Sequence, residues 1–263
     1  MSLAGSVVIF TGTGSGIGRE IARTVAALGA LVVIAEIDPE GSEATRAQIA
    51  SAGGSATYVQ TDVAVEASIG AMVQRTMAEH GSVYGLVNNA SIERAADATA
   101  LTLEAWDTLL NVNLRGVFCC SKTCLPHMRE QGRGSIVNIA LVHASFGFAD
   151  DAASDTSKGG VAALTRTLAI ENAPHQIRVN AVCPGYIGMP LWDAWLATCA
   201  DPEEMDRRVR ESHPLRRRGQ PRDVAHLVKF LLSDESSWIT GTSIVVDGGM
   251  SAQFFEMPFP LEA

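Results

Sequence analysis

The stretch Thr11-Gly12-Thr13-Gly14-Ser15-Gly16-Ile17-Gly18 is set between an apolar β-branched run and a segment whose Ile21, Val25 and Leu28 recur at helical spacing. Glycines there let the backbone turn tightly and approach a diphosphate, whose charge rests on unpaired N–H groups at the positive end of the next helix. A glycine cluster alone also fits a helix-capping turn. The strand-turn-helix order and an acid 18 residues past Gly18 turn the reading toward a dinucleotide. That acid, Glu36, can accept both hydroxyls of an adenosine ribose and would repel a 2′-phosphate. Neither Ser15 nor Ile37 supplies an offsetting positive charge, so NAD is expected rather than NADP. The plain alternative is a solvated strand end.

Other candidates are titratable. His143 falls at the carboxyl end of an expected parallel strand, where ligands bind in such sheets, and imidazole exchanges protons near neutrality. The commoner fate of such a histidine is the surface or a core edge. Glu93 and Arg94 follow another strand end, where they line a substrate mouth or are simply solvated. Asp150, Asp151 and Asp155 look like a metal cluster on spacing, yet acidic punctuation around a helix start accounts for them, and no metal is expected.

These residues need a scaffold. Apolar runs at Val7 to Thr11, Leu31 to Ala35, Ala56 to Gln60, Val83 to Asn88, Ser135 to Ile139, Ile177 to Val182 and Ser243 to Val246 alternate with segments of helical length. Strands buried on both faces read as near-continuous apolar runs, so the pattern predicts a seven-stranded, parallel, doubly wound α/β sheet. Asp38, Pro39 and Glu40 predict a capped helix start. No repeat or linker interrupts the alternation, which implies one domain over 1–263, with one irregular insertion at about 189–219.

Composition narrows the function classes. Twenty Lys+Arg against 29 Asp+Glu leave a net charge of −9, which repels phosphate backbones and anionic lipid, so neither nucleic acid nor membrane is an expected partner. The apolar stretch Leu28 to Ala35 is far short of the roughly 20 residues of a membrane span. The opening residues lack the basic start of a secretory signal, so a cytoplasmic location is expected. Five cysteines, without a C-x-x-C pair, argue against disulfides and zinc; Cys119, Cys120 and Cys124 read as small core residues.

Thr11-Gly12-x-x-x-Gly16-x-Gly18, Asp62-Val63, Asn88-Asn89-Ala90, Asn113, Lys158 and Pro184-Gly185 follow the order and spacing of the short-chain dehydrogenase/reductases, and the chain resembles that family through Asp247-Gly248-Gly249. The resemblance implies a Rossmann-like domain with strand order 3-2-1-4-5-6-7, NAD(P)-dependent hydride transfer, and a homotetramer or homodimer. It implies a cofactor held by Gly12, Ser15, Gly16, Ile17, Gly18, Glu36, Asp62, Val63, Asn89, Ala90, Lys158, Pro184, Gly185 and Ile187. Asp62 would hold the adenine and the Pro184-Gly185 turn would abut the nicotinamide.

The catalytic pattern of that family is only half present. It needs a tyrosine four residues before Lys158 and a serine thirteen before the tyrosine; the chain has Ser154 and Leu141 there, with Asn113 and Lys158 retained. An aliphatic hydroxyl is far less acidic than a phenol and ends ångströms short of it, and leucine donates no hydrogen bond. Asn113, Leu141, Ser154 and Lys158 therefore mark a catalytic site in which His143 is the best substitute acid/base. Ser91 and Met189 depart from the usual glycine and threonine.

Leu191, Trp192, Trp195 and Leu196 in the insertion suggest a lid with aromatic walls favouring a neutral, fairly apolar alcohol or ketone, or tryptophans that merely pack the lid on the core. Arg216-Arg217-Arg218 reads as a solvated turn. The apolar tail at 251–263 is expected to cover a pocket or cross to a neighbouring subunit. Three functions stay open: NAD-dependent oxidoreduction of a secondary alcohol or ketone with an altered proton path, cofactor binding without turnover, and a non-redox lyase or isomerase reaction with His143 as base.

Overall fold

In a computed structural model the described residues are 2–253; residues 254–263, on which most of the expected tail falls, lie outside them. The strands are β1 (Val7–Thr11), β2 (Leu31–Glu36), β3 (Ser55–Gln60), β4 (Gly85–Asn88), β5 (Gly134–Ile139), β6 (Ile177–Pro184) and β7 (Ser243–Val246). They form one parallel sheet in the order β3-β2-β1-β4-β5-β6-β7. Alternate residues of each strand feed two cores: Val8 and Phe10 of β1 join one, Val7 and Ile9 the other, and Val32/Ile34 against Val33/Ala35 repeat this on β2. Burial on both faces is why these strands read as unbroken apolar runs.

The helices are α1 (Gly16–Ala26), α2 (Pro39–Ser51), α3 (Glu66–His80), α4 (Leu103–Leu110), α5 (Gly116–Gln131), α6 (Ala152–Asn172), α7 (Pro190–Leu196), α8 (Pro202–Glu211) and α9 (Pro221–Leu232). Ile17, Ile21 and Val25 of α1 pack with Val224, Val228 and Leu231 of α9 on one face of the sheet; α3 and α5 cover the other. Asp38 caps α2 as expected, accepting the Glu40 and Gly41 N–H groups at 3.0 and 3.1 Å. All five cysteines are free, and burial pushes the Cys120 thiol up to about 12. No helix among the described residues is long and apolar enough to cross a membrane.

Two expectations are corrected. Val83 and Tyr84 precede the fourth strand, whose ladder begins at Gly85 with Val8 and Ser135 on either side; the Tyr84 hydroxyl instead donates to Leu232 at 2.7 Å. The insertion at 189–219 is largely helical, carrying α7 and α8. The irregular backbone is 89–102 together with 140–151, where a parallel bridge joins Ala96 to Asp151. These two loops rise from the carboxyl ends of β4 and β5. Their bases are fixed by a buried chain in which Asn88 donates to Asn138 at 2.8 Å and Asn138 to Thr165 on α6 at 2.9 Å.

Candidate active site

A groove of about 410 Å³ runs along the carboxyl edge of the sheet, lined by Gly12, Gly14, Ser15, Gly16, Ile17, Gly18, Glu36, Asp62, Val63, Asn89, Ala90 and Lys158 among others. The glycine turn is packed to its limit. A Cβ on Gly18 would lie 2.1 Å from the Gly12 carbonyl oxygen, and one on Gly12 2.6 Å from the Ala90 Cα. Asn89 braces the turn by donating to Thr11 O at 3.2 Å and Gly12 O at 2.6 Å. Ser15 precedes α1 in extended conformation without a side-chain cap, and the first turn holds no acid, so the N–H groups there are open to an anion. The Glu36 carboxylate accepts Gly14 N–H at 2.9 Å and Ile37 N–H at 2.8 Å, with Asp38 beside it on the groove wall.

Toward β5 the groove reaches Lys158. Its ammonium is buried and donates to Ile139 O at 3.3 Å, its one hydrogen bond among the described residues, so two donors remain over the groove. Burial lowers its pKa, opposed by the charges of Glu93 and Cys183. Open amides at the start of α1, the paired acids Glu36 and Asp38 and a spare ammonium form a donor and acceptor set into which a nicotinamide dinucleotide would fit.

Beyond Lys158 the groove opens into a second cavity of about 640 Å³; Glu93, Leu141 and Met189 line both. Leu141 holds φ 93° and ψ 162°, a region that only glycine enters freely, at a cost of roughly 1–3 kcal/mol. Strain of this kind concentrates at functional sites. Pro184, Gly185 and Ile187 also line the second cavity rather than the first.

The expected catalytic set is only partly brought together. Lys158 and Leu141 meet at the groove. Ser154 shares the Lys158 face of α6, but its hydroxyl is fully buried, has no hydrogen-bond partner, and lines neither cavity. Asn113, in a π-helical turn at Asn111–Arg115, is occupied in holding the 89–102 loop: it accepts Ile92 N–H at 2.9 Å and donates to Ile92 O at 2.8 Å. His143 lines the second cavity. Its Nδ1 lies 2.7 Å from the Asp155 carboxylate in a close ion-pair contact without hydrogen-bond alignment, and its ring stacks on Phe148 at 4.2 Å.

Asp155 does stand in the first turn of α6, but it also accepts Phe148 N–H at 2.8 Å and partners His143. No periodicity signals a pair twelve residues apart across an irregular loop. Phe148 and Tyr186 were equally illegible, since only the fold brings them beside Trp192 and Trp195. Arg216 and Arg217 are exposed in bends, as the solvated-turn reading has it, while Arg218 is only partly exposed: it bonds Asp193 of α7 at 3.2 Å and contacts Asp206 of α8 at 3.1 Å, tying the lid together.

Residues 12–251 match the family model adh_short_C2, described as Enoyl-(Acyl carrier protein) reductase. The chain is 38% identical over 252 residues to cis-4-hydroxycyclohexanecarboxylate dehydrogenase of Sinomonas cyclohexanicum, covering 95% of this chain and 98% of that one. It is 37% identical to levodione reductase of Leifsonia aquatica over 254 residues, 94% of this chain and 95% of that one. A crystal structure of levodione reductase superposes with a TM-score of 0.92 at 34% identity, covering 95% of this chain and 99% of that chain. The fold is that of a Rossmann-like α/β protein. The chain belongs to the short-chain dehydrogenase/reductase family.

Proposed function

We propose that this chain is an NAD-dependent oxidoreductase that interconverts a secondary alcohol and a ketone, with proton transfer moved from the family's usual serine and tyrosine to His143. The carrying observation is that the glycine groove opens, across Leu141 and Met189, directly into a single aromatic-walled cavity. Relatives named for a hydroxycyclohexane substrate and a dione support the alcohol/ketone class. Glu36 and Asp38 at the ribose end favour NAD over NADP, because a 2′-phosphate there would meet two carboxylates.

When bound, the nicotinamide supplies or accepts the hydride. The chain's own residues do the rest. Amides at the start of α1 hold the diphosphate, Glu36 takes ribose hydroxyls, and Lys158 offers its two spare donors to the second ribose. Asp155 beside Nδ1 favours the tautomer protonated there, leaving Nε2 to take the alcohol proton or, as the imidazolium, to give one to the ketone oxygen. Leu141 contributes apolar surface that excludes water and no hydrogen bond.

Calorimetric titration of the full chain with NADH, followed by single turnovers against cyclic ketones, tests this. NADH oxidation is expected, with His143→Ala slowing it about 100-fold, the usual worth of a positioned acid/base. Tight NADH binding without hydride delivery would leave the cofactor-binding reading, which the inaccessible Ser154 hydroxyl favours. An unchanged His143→Ala rate would return the proton to another group.

A further inference from the structure

The second cavity is aromatic along one continuous wall. His143 stacks on Phe148; Phe148 meets Tyr186 edge-on at 6.4 Å; Tyr186 meets Trp192 at 5.1 Å; and Trp192 meets Trp195 at 4.6 Å. All five rings line the cavity. Such a wall alone would suit the neutral, apolar substrate expected from the tryptophans. The acidic residues that also line the cavity do not.

Glu93, Asp150 and Asp151 line that same cavity, the first two exposed to solvent and Asp151 partly buried, and among the described residues none of the three carboxylates makes a salt bridge or a side-chain hydrogen bond. Asp151 is the telling one. It occupies the N-cap of α6, where an aspartate normally bonds the first helical amides, yet makes no capping bond. Burial raises its pKa, an effect that the nearby His143 opposes and that Glu93, Asp155 and Asp150 reinforce. The positive groups within reach are Lys158, which faces the groove and is influenced by Glu93, and His143, already partnered by Asp155. Among the described residues no lysine or arginine lines the cavity. A partly desolvated carboxylate left without a counter-charge is costly in an ordinary wall. Joined to a row of aromatic faces, it forms the combination that attracts ammonium ions.

We propose that the substrate of this cavity carries a fixed positive charge: an amino-substituted or quaternary-ammonium secondary alcohol or ketone, its cationic group held between Asp151, Glu93 and the Tyr186–Trp192–Trp195 wall. This rests on the oxidoreductase reading above for the alcohol and ketone. The matching experiment reads binding rather than turnover, so the two can fail separately.

The probes are 5-(trimethylammonio)pentan-2-one and its uncharged isostere 6,6-dimethylheptan-2-one, which differ only by nitrogen for carbon. Each is titrated calorimetrically into the full chain saturated with NAD⁺, which has no hydride to give a ketone, so the heat reports binding alone. The ammonium ketone is expected to bind at least about tenfold more tightly, with the preference falling as salt rises. Asp151→Asn and Glu93→Gln should each cut that preference several-fold while leaving the isostere's affinity unchanged, and Trp192→Leu should weaken both probes. Equal affinity of the two probes, or tighter binding of the isostere, overturns the proposal. So does a preference that survives the Asp151→Asn, Glu93→Gln double variant, provided circular dichroism shows that variant folded. Failure of hydride transfer with the ammonium preference intact would strike the redox reading and not this one.

Discussion

The two halves of the cleft share one sheet edge but are built from different materials. The cofactor half is backbone: a turn in which two glycines are sealed against each other and against Ala90, with open amides at the start of α1. The substrate half is side chain, drawn from the 89–102 and 140–151 loops, the end of β6 and the lid. Backbone sites tolerate almost no change in shape, while side-chain sites exchange chemistry at little cost to the fold. A family can therefore keep one half and rework the other.

Gly18→Ala probes the rigid half and carries the largest expected effect. Its Cβ would meet the Gly12 carbonyl oxygen at 2.1 Å, and backbone cannot swing aside as a side chain does. Overpacking of about 3 kcal/mol corresponds to roughly 100-fold weaker NAD binding, or to a lowered melting temperature if the turn itself shifts. Gly14→Ala is the control: its Cβ would meet only side-chain carboxylates, Glu36 at 3.3 Å and Asp38 at 3.5 Å, and should cost far less. Equal losses would show that the turn is not the rigid half.

The joint replacement Leu141→Ser and Ser154→Tyr probes the reworked half, with a somewhat smaller effect of opposite sign. A phenol on the Lys158 face of α6, with a hydroxyl where Leu141 lines both cavities, should raise alcohol oxidation about 100-fold in initial-rate assays. No gain would mean that the groove, and not only its proton machinery, has been altered.

The smallest effect concerns stability. Because burial raises the Asp151 pKa in the folded state, folding retains its proton and opposes its charge. Stability from this group is thus greatest below the unfolded pKa and is lost as pH rises through the folded value. Asp151→Asn should melt slightly higher than the parent at pH 7, by less than about 1 kcal/mol, and the difference should vanish near pH 3. The same variant that gains stability should lose ammonium binding.

Glycine spacing, strand runs and the Asp38 cap were legible because each depends on neighbours within a few residues, where backbone geometry is set locally. Tyr84 reads as strand because its backbone does bond the neighbouring strands, its N–H donating to Val7 O at 2.9 Å and its carbonyl accepting Ser135 N–H at 3.0 Å, although the paired residues begin at Gly85. The insertion read as irregular because its two helices, α7 and α8, are short and each begins at a proline.

From its sequence alone this protein declared a parallel sheet with a glycine-rich turn after its first strand, since hydrophobic periodicity and glycine geometry act over short stretches of chain. Only the tertiary structure decided that Ser154 is sealed away, that Asp155 serves His143, and that Asp151 and Glu93 face an aromatic wall. Those facts depend on loops from distant strand ends meeting in space, where packing and not sequence distance determines which charges become neighbours.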